Sequence, residues 1–278
     1  MSKRRFIAPA RAEVAPACFD HPIYREFQRF RGWMAAATWP SIADLNAALP
    51  SPGPCFVEQD RQLLDDGQHY ETRIAEHGWI ATRSENWHDL FNAMVWCRHP
   101  AIKQALNRRQ CAHIAEMGPS ARNRAQYALT QFDEAGVIVR VRDRSLLSAW
   151  DRHDWPALFH AKAEAWRNGD IAIIAVIGHA LLELGLAPGR FIVGKALLVE
   201  GEAEAGDCVD GLAQAIATAR CLNDPLELRP LPLAGIPGWH VGQDAAFYRE
   251  AECFQPLRAG RVYPMPLGIG MASPGAAG

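Results

Sequence analysis

The stretch "IAIIAVIGHALLELGL", residues 171–186, constrains this chain more than any other. It is the longest apolar run, interrupted by Gly178, His179 and Glu183. A helix needs roughly 20 apolar residues to cross a bilayer, so the run is too short for a membrane span. It must instead be enclosed in a globular body, as a buried helix or as a strand followed by a helix. A chain of 278 residues, 49% hydrophobic and 22% charged, has the material for such a core in one large domain or two small ones. If the second half is helical, His179 and Glu183 lie four apart and share a face. An ionised carboxylate buried there is costly without a partner. Its own histidine is the plain candidate, and a ligand or acid/base role is the chemical one.

A second segment supplies matching groups. In "TRSENWHDLFNAMVW", Ser84 is a candidate N-cap for a helix running to about Cys97. Glu85, His88, Asp89 and Asn92 then fall at i, i+3, i+4 and i+7, on one face, with Phe91, Met94 and Val95 opposite. The acids sit at the positive end of the helix dipole, and Asn92 is placed to brace a loop, both for purely structural reasons. Carboxylate and imidazole are also the ligand types that transition-metal sites recruit from helices, and Glu-x-x-His puts them on adjacent ridges. One helix cannot complete such a site. We therefore group Glu85, His88, Asp89, Asn92, His179 and Glu183 as catalytic candidates. His88, Asp89, His179 and Glu183 would hold a divalent metal of open identity. Asp133 and Glu134, in "TQFDEAGV", rank second because Asp near Gly is ordinary turn chemistry.

Charge points to an anionic partner only locally. A net charge of -2 argues against coating nucleic acid or an anionic membrane through bulk charge. From residue 98 to 124, however, Arg98, Lys103, Arg108, Arg109, Arg122 and Arg124 face a single acid, Glu116. Cationic donors beside metal ligands suit a small phosphate-bearing substrate. Arg83, Lys103, Asn107 and Arg108 are the candidates to hold it. The other readings of this segment are a solvated surface or a docking site for nucleic acid or an acidic partner. Lys195 in "IVGKALLVEG" lacks the remainder of a phosphate loop, and no nucleophile elbow or dinucleotide fingerprint is present. Seven scattered cysteines without a Cys-x-x-Cys pair argue against a disulfide framework or a thiolate zinc site. A cytoplasmic protein is the expectation.

The pattern predicts a single α+β domain, helix-rich, with short strands and hairpins. Its expected limits are 18–266, after a flexible leader at 1–17 and before a disordered tail at 267–278. Helices are expected from Asp20, from Ser41 to Pro50, from Pro100, and over "DCVDGLAQAIATARCL". "RFIVGKALLVE" reads as a strand. Hairpins are expected around His77-Gly78 and at Asp133 to Gly136, and an extended Pro-rich arm from Asn223 to Pro237.

Several segments in order, "WPSIADLNAAL", "YETRIAEHGWIATRSENWHDLFNAMVW", "HPAIKQALN", "ALTQFDEAGVIV", "GHALLE" and "LPLAGIPGWH" followed by "FYREAECFQPLR", resemble the bacterial domain-of-unknown-function family numbered 3025. The resemblance runs from about Trp39 to Arg258. It implies that the polar helix and the Pro-rich arm belong to one integral domain, and it brings no activity. The segment "RRQCAHIAEM" departs from the family pattern in the position of its histidine, which leaves the role of His113 open.

Overall fold

The computed structural model describes residues 6–118 and 121–269. It is an α+β protein built on two sheets. The N-terminal part carries 3-10 turns at Pro16–Asp20 and Pro22–Phe30, continued by one helical turn at Arg31–Ala35. The expected first helix is thus mostly 3-10, with Ile23, Tyr24, Phe27 and Phe30 buried. Helix α1, Ile42–Ala48, is closed by a capping box in which Ser41 and Asp44 exchange hydrogen bonds. Residues 1–5 of the expected leader lie outside the described residues. Within the rest, Trp87 Nε1 donates to the Pro9 carbonyl, and the Arg11 guanidinium lies 4.2 Å from the Trp39 ring centre.

Strand β1, Cys55–Glu58, pairs in parallel with β2, Trp79–Thr82. Between them runs α2, Tyr70–His77, where a hairpin was expected. Gly78, at φ 70°, ends this helix in the left-handed conformation, so the glycine read as a hairpin turn is a helix terminator. Three long helices follow: α3 at Trp87–Arg98, α4 at Pro100–Met117 and α5 at Arg124–Ala135. Asn86, not Ser84, caps α3. Ser84 is drawn away to Glu58, which accepts from both its hydroxyl and its backbone N–H.

The second correction concerns residues 127–141, read as two strands and found as the end of α5 running directly into strand β3, Gly136–Val141. Ala125, Ala128, Leu129 and Phe132 are buried on one helical face, a 3.6-residue period that outweighed the turn signal of Asp133 and Gly136. Every residue of β3 is buried. It is central, flanked by antiparallel β4, Ile171–Val176, and by parallel β5, Val193–Glu200. Helix α6, His179–Leu184, follows β4, so the long apolar run is a strand and then a helix. Helix α7, Ala205–Ala217, packs on α4. The Pro-rich stretch contributes β6, Arg229–Pro232, antiparallel to β5. Leu267–Gly268 forms β7 along β5, and the expected tail from residue 270 on lies outside the described residues. Among the described residues no helix is long and apolar enough to cross a membrane.

One close approach sets up the site. The β4–α6 junction crosses the α5–β3 junction so tightly that a Cβ on Gly178 would lie 2.5 Å from Ala135 Cα. The backbone N–H groups of Ile177 and Gly178 both donate to the Gly136 carbonyl, at 2.9 Å each. Only glycine admits this contact. It brings the first residue of α6, His179, beside the last turn of α5.

Candidate metal centre

Helices α3, α5 and α6 converge at one end of a cleft of about 350 Å³. His88 projects from the first turn of α3 and His179 from the first residue of α6. Their Nε2 atoms are 3.0 Å apart, with the rings nearly perpendicular. On the far side of His88, Nδ1 lies 3.0 Å from Glu183 Oε2. The sequence pairing of His179 with Glu183 is therefore replaced by a pairing of Glu183 with His88. Glu134, from α5, completes the group: Glu134 Oε2 is 3.8 Å from His179 Nε2. One ligand atom each of His88, Glu134 and His179 lies within 4.8 Å of the others.

Behind this cluster Asp133 Oδ2 stands 3.9 Å from His179 Nδ1, a buried nitrogen without a hydrogen-bond partner. Asp133 is itself held by the ammonium of Lys103, 2.5 Å from Oδ1. Lys103 is almost fully buried on α4. An ammonium has three donors. Asp133 takes one, and Lys103 faces the cleft.

The titration behaviour follows from these contacts. Burial pushes His179 down to about 3, so at neutral pH its imidazole is uncharged and carries a lone pair. The hydrogen bond to Glu183 raises His88, against the opposing effect of burial. Burial drives Asp133 up, but Lys103 and His179 outweigh it and its carboxyl is lowered. Glu134 is raised by burial.

Not every sequence candidate arrives here. Asp89 lines the cleft but is bound on both oxygens by Arg83, whose Nε and Nη2 donate at 2.9 Å each. The Arg83 backbone N–H adds a third bond. Asp89 closes the loop before α3 and makes no ion pair or hydrogen bond with either imidazole, though its charge helps raise His88, and Arg83 is largely spent on it. Glu85 is not on the helix at all. It is exposed in the turn before α3 at φ 55° and faces a separate small pocket. Asn92 does face the cleft. Its Nδ2 donates to the Tyr70 hydroxyl at 3.1 Å, and its buried Oδ1 has no partner. Asn107 also lines it, donating to Glu71. Arg108 is exposed and lines a different depression near Gly53 and Pro54.

The cationic segment likewise disperses. Lys103 turns inward, Arg109 donates to the Cys221 carbonyl and Asn223, Arg124 pairs with Asp224, and Arg98 lies 3.9 Å from Glu26. Sequence reasoning ranked Glu134 too low, because Asp133 and Glu134 were read as turn residues. The missed signal was the helix itself: Asn123 and Gln126 form a capping box, and Gln126, Thr130 and Glu134 repeat every four residues along α5.

A family model described as "Protein of unknown function (DUF3025)" matches residues 55–258, and the chain belongs to that family. No curated protein and no solved structure matches it.

Proposed function

We propose that this member of the DUF3025 family is a metal-dependent hydrolase of a small substrate bearing a phosphoester or similar anionic group. One observation carries the reading: the two Nε2 atoms lie 3.0 Å apart while a carboxylate stands on the Nδ1 side of each ring. Glu183 lies behind His88 at 3.0 Å and Asp133 behind His179 at 3.9 Å. If both rings carry their proton on Nδ1, each N–H faces a carboxylate and both Nε2 lone pairs are free for a cation. This is the carboxylate–histidine–metal arrangement that fixes tautomer and raises ligand basicity. Without a cation one Nε2 must donate to the other, so either His88 is doubly protonated beside Glu183 or one Nδ1 turns a lone pair toward a carboxylate.

Two ligands about 2.0–2.1 Å from a tetrahedral ion are roughly 3.3 Å apart, close to the 3.0 Å between the imidazoles. Glu134 would give a third ligand and leave the remaining position to water. A metal held there would supply a hydroxide near neutral pH. Glu134 would offer one oxygen to the ion and keep the second as a proton acceptor for water. Lys103, with donors beyond the one Asp133 uses, is placed to meet developing negative charge on the substrate. The set is two histidines and one carboxylate, which suits zinc, manganese or iron.

Elemental analysis of dialysed protein tests this directly. We expect one equivalent of a transition metal in the wild type and loss of it in His88→Ala and His179→Ala. Asp133→Asn should weaken the metal by about 10–100-fold, the usual effect of losing an outer-shell partner. Full occupancy in His88→Ala sinks the proposal. The rival reading, a dock for nucleic acid or an acidic partner, needs a continuous cationic face. Only Arg108 and Arg122 of the six cations stand without an ion pair or buried partner among the described residues.

A further inference from the structure

The cleft has a second polar level beyond the histidines. Its floor is made of columns that step along three helices: His88 and Asn92 on α3, Lys103 and Asn107 on α4, Glu134 and Thr130 on α5. Each step is four residues, a rise of about 6 Å. The first member of each column belongs to the histidine end. Asn92, Asn107 and Thr130 each stand about one turn along their own helix from these first members, and all line the same cavity.

Glu71, from the first turn of α2, reaches into this second level. Its Oε2 accepts from Asn107 Nδ2 at 2.7 Å, and its other oxygen makes no hydrogen bond among the described residues. The carboxylates that line the cleft divide sharply. Asp89 has the Arg83 cation and Asp133 the Lys103 cation within 4 Å, and Glu134 has the neutral imidazole of His179 at 3.8 Å. Among the described residues Glu71 has no basic side chain within 4 Å, Lys103 and Arg122 acting on it only from farther across the cleft, and its carboxyl is raised by burial. In the same cleft the buried Asn92 carbonyl oxygen is also without a donor. Buried carboxylates are ordinarily paired. The buried Asn92 oxygen and the half-buried Glu71 carboxylate, with one oxygen free of protein donors, both line a space large enough for a small ligand.

We propose that Glu71, Asn92 and Asn107 form a subsite for the cationic nitrogen of an amine-bearing substrate, whose scissile group lies one helical turn away at the histidines. This rests on the histidine end being the reacting end. An ammonium carries three donors and no acceptor, so it satisfies the free oxygen of Glu71 and the Asn92 carbonyl together and restores charge balance at Glu71. The substrate class is then a short aminoalkyl ester, with amine and ester separated by a span of about 6 Å.

The test compares 2-aminoethyl phosphate with ethyl phosphate, which lacks the amine, by ligand-observed NMR titration. Wild type, Glu71→Gln and His88→Ala are measured in the presence of the metal each retains. We expect the amine to improve binding by about tenfold or more in the wild type, the order of one charge-assisted hydrogen bond. That preference should vanish in Glu71→Gln, which keeps the shape and the Asn107 contact. In His88→Ala both probes should weaken while their ratio persists. Equal binding of the two probes to the wild type overturns the subsite, as does a preference that survives Glu71→Gln or no binding of the amine at millimolar concentration. Should Glu71→Gln not fold, the wild-type ratio still decides. If His88→Ala binds both probes as the wild type does while Glu71→Gln loses the preference, the metal reading fails and the subsite stands.

Discussion

The histidine end of the cleft and the segment from Arg98 to Arg124 both stand out in the sequence as concentrations of polar chemistry. Folding treats them in opposite ways. His88 and His179 are 91 positions apart, yet their Nε2 atoms meet at 3.0 Å. The six cations lie within 27 consecutive residues, and four of them are drawn to separate partners on different elements. Density along the chain is thus a poor measure of density in space. A helix sends neighbouring residues to different sides, and each buried charge then takes the nearest opposite group.

The strongest way to break the comparison is at Lys103, which belongs to both regions. Lys103→Met should destabilise the fold by on the order of 3 kcal/mol, because it leaves Asp133 without its cation. The low end of the usual range applies, since the Asp133 side chain keeps 23% of its exposure. Urea unfolding gives the number, and a loss below about 1 kcal/mol, the size of an exposed pair, would show that Lys103 does not compensate a buried charge.

A smaller effect concerns pH in metal-free protein. An unfolded imidazole titrates near 6.5, and His179 in the fold near 3. Between those values only the unfolded state takes the proton, so this group lowers stability as pH falls from about 6.5. His88 is raised by Glu183. Its contribution is full below about 6.5 and is lost as pH rises through the folded value. His179→Gln should therefore flatten the decline of stability between about pH 6.5 and 5. An unchanged slope in chelator-treated protein would contradict the sealed environment of His179.

The smallest expected effect is at Arg108, exposed and outside the cleft. Arg108→Ala should leave stability, metal content and probe binding unchanged. Steeply salt-dependent binding of single-stranded DNA or RNA that is lost in this variant would revive the docking role of the segment.

How much of this was legible beforehand differs by element. The burial of residues 171–184, with strand then helix as one of two readings, and the helix starts at Ser41 and Pro100 could be read because each is local: an apolar run, a capping side chain, a ring that fixes φ. The helix over Tyr70–His77 and the end of α5 were obscured by Gly78 and by Asp133 to Gly136, since the same residues end helices and make hairpin turns.

The sequence by itself determined the inventory: a buried polar pair inside the longest apolar run, a polar first turn on α3, and a mixed α+β body able to enclose them. Only the tertiary structure decided the partnerships. It gave Asp89 to Arg83 rather than to a histidine, moved Glu183 from His179 to His88, and raised Glu134 from a turn residue to a candidate ligand. The reason is the crossing of Gly178 over Ala135 and Gly136, a contact between chain segments some forty residues apart. No helical or strand period encodes such a distance, because periodicity states which way a side chain points and packing alone states what it meets.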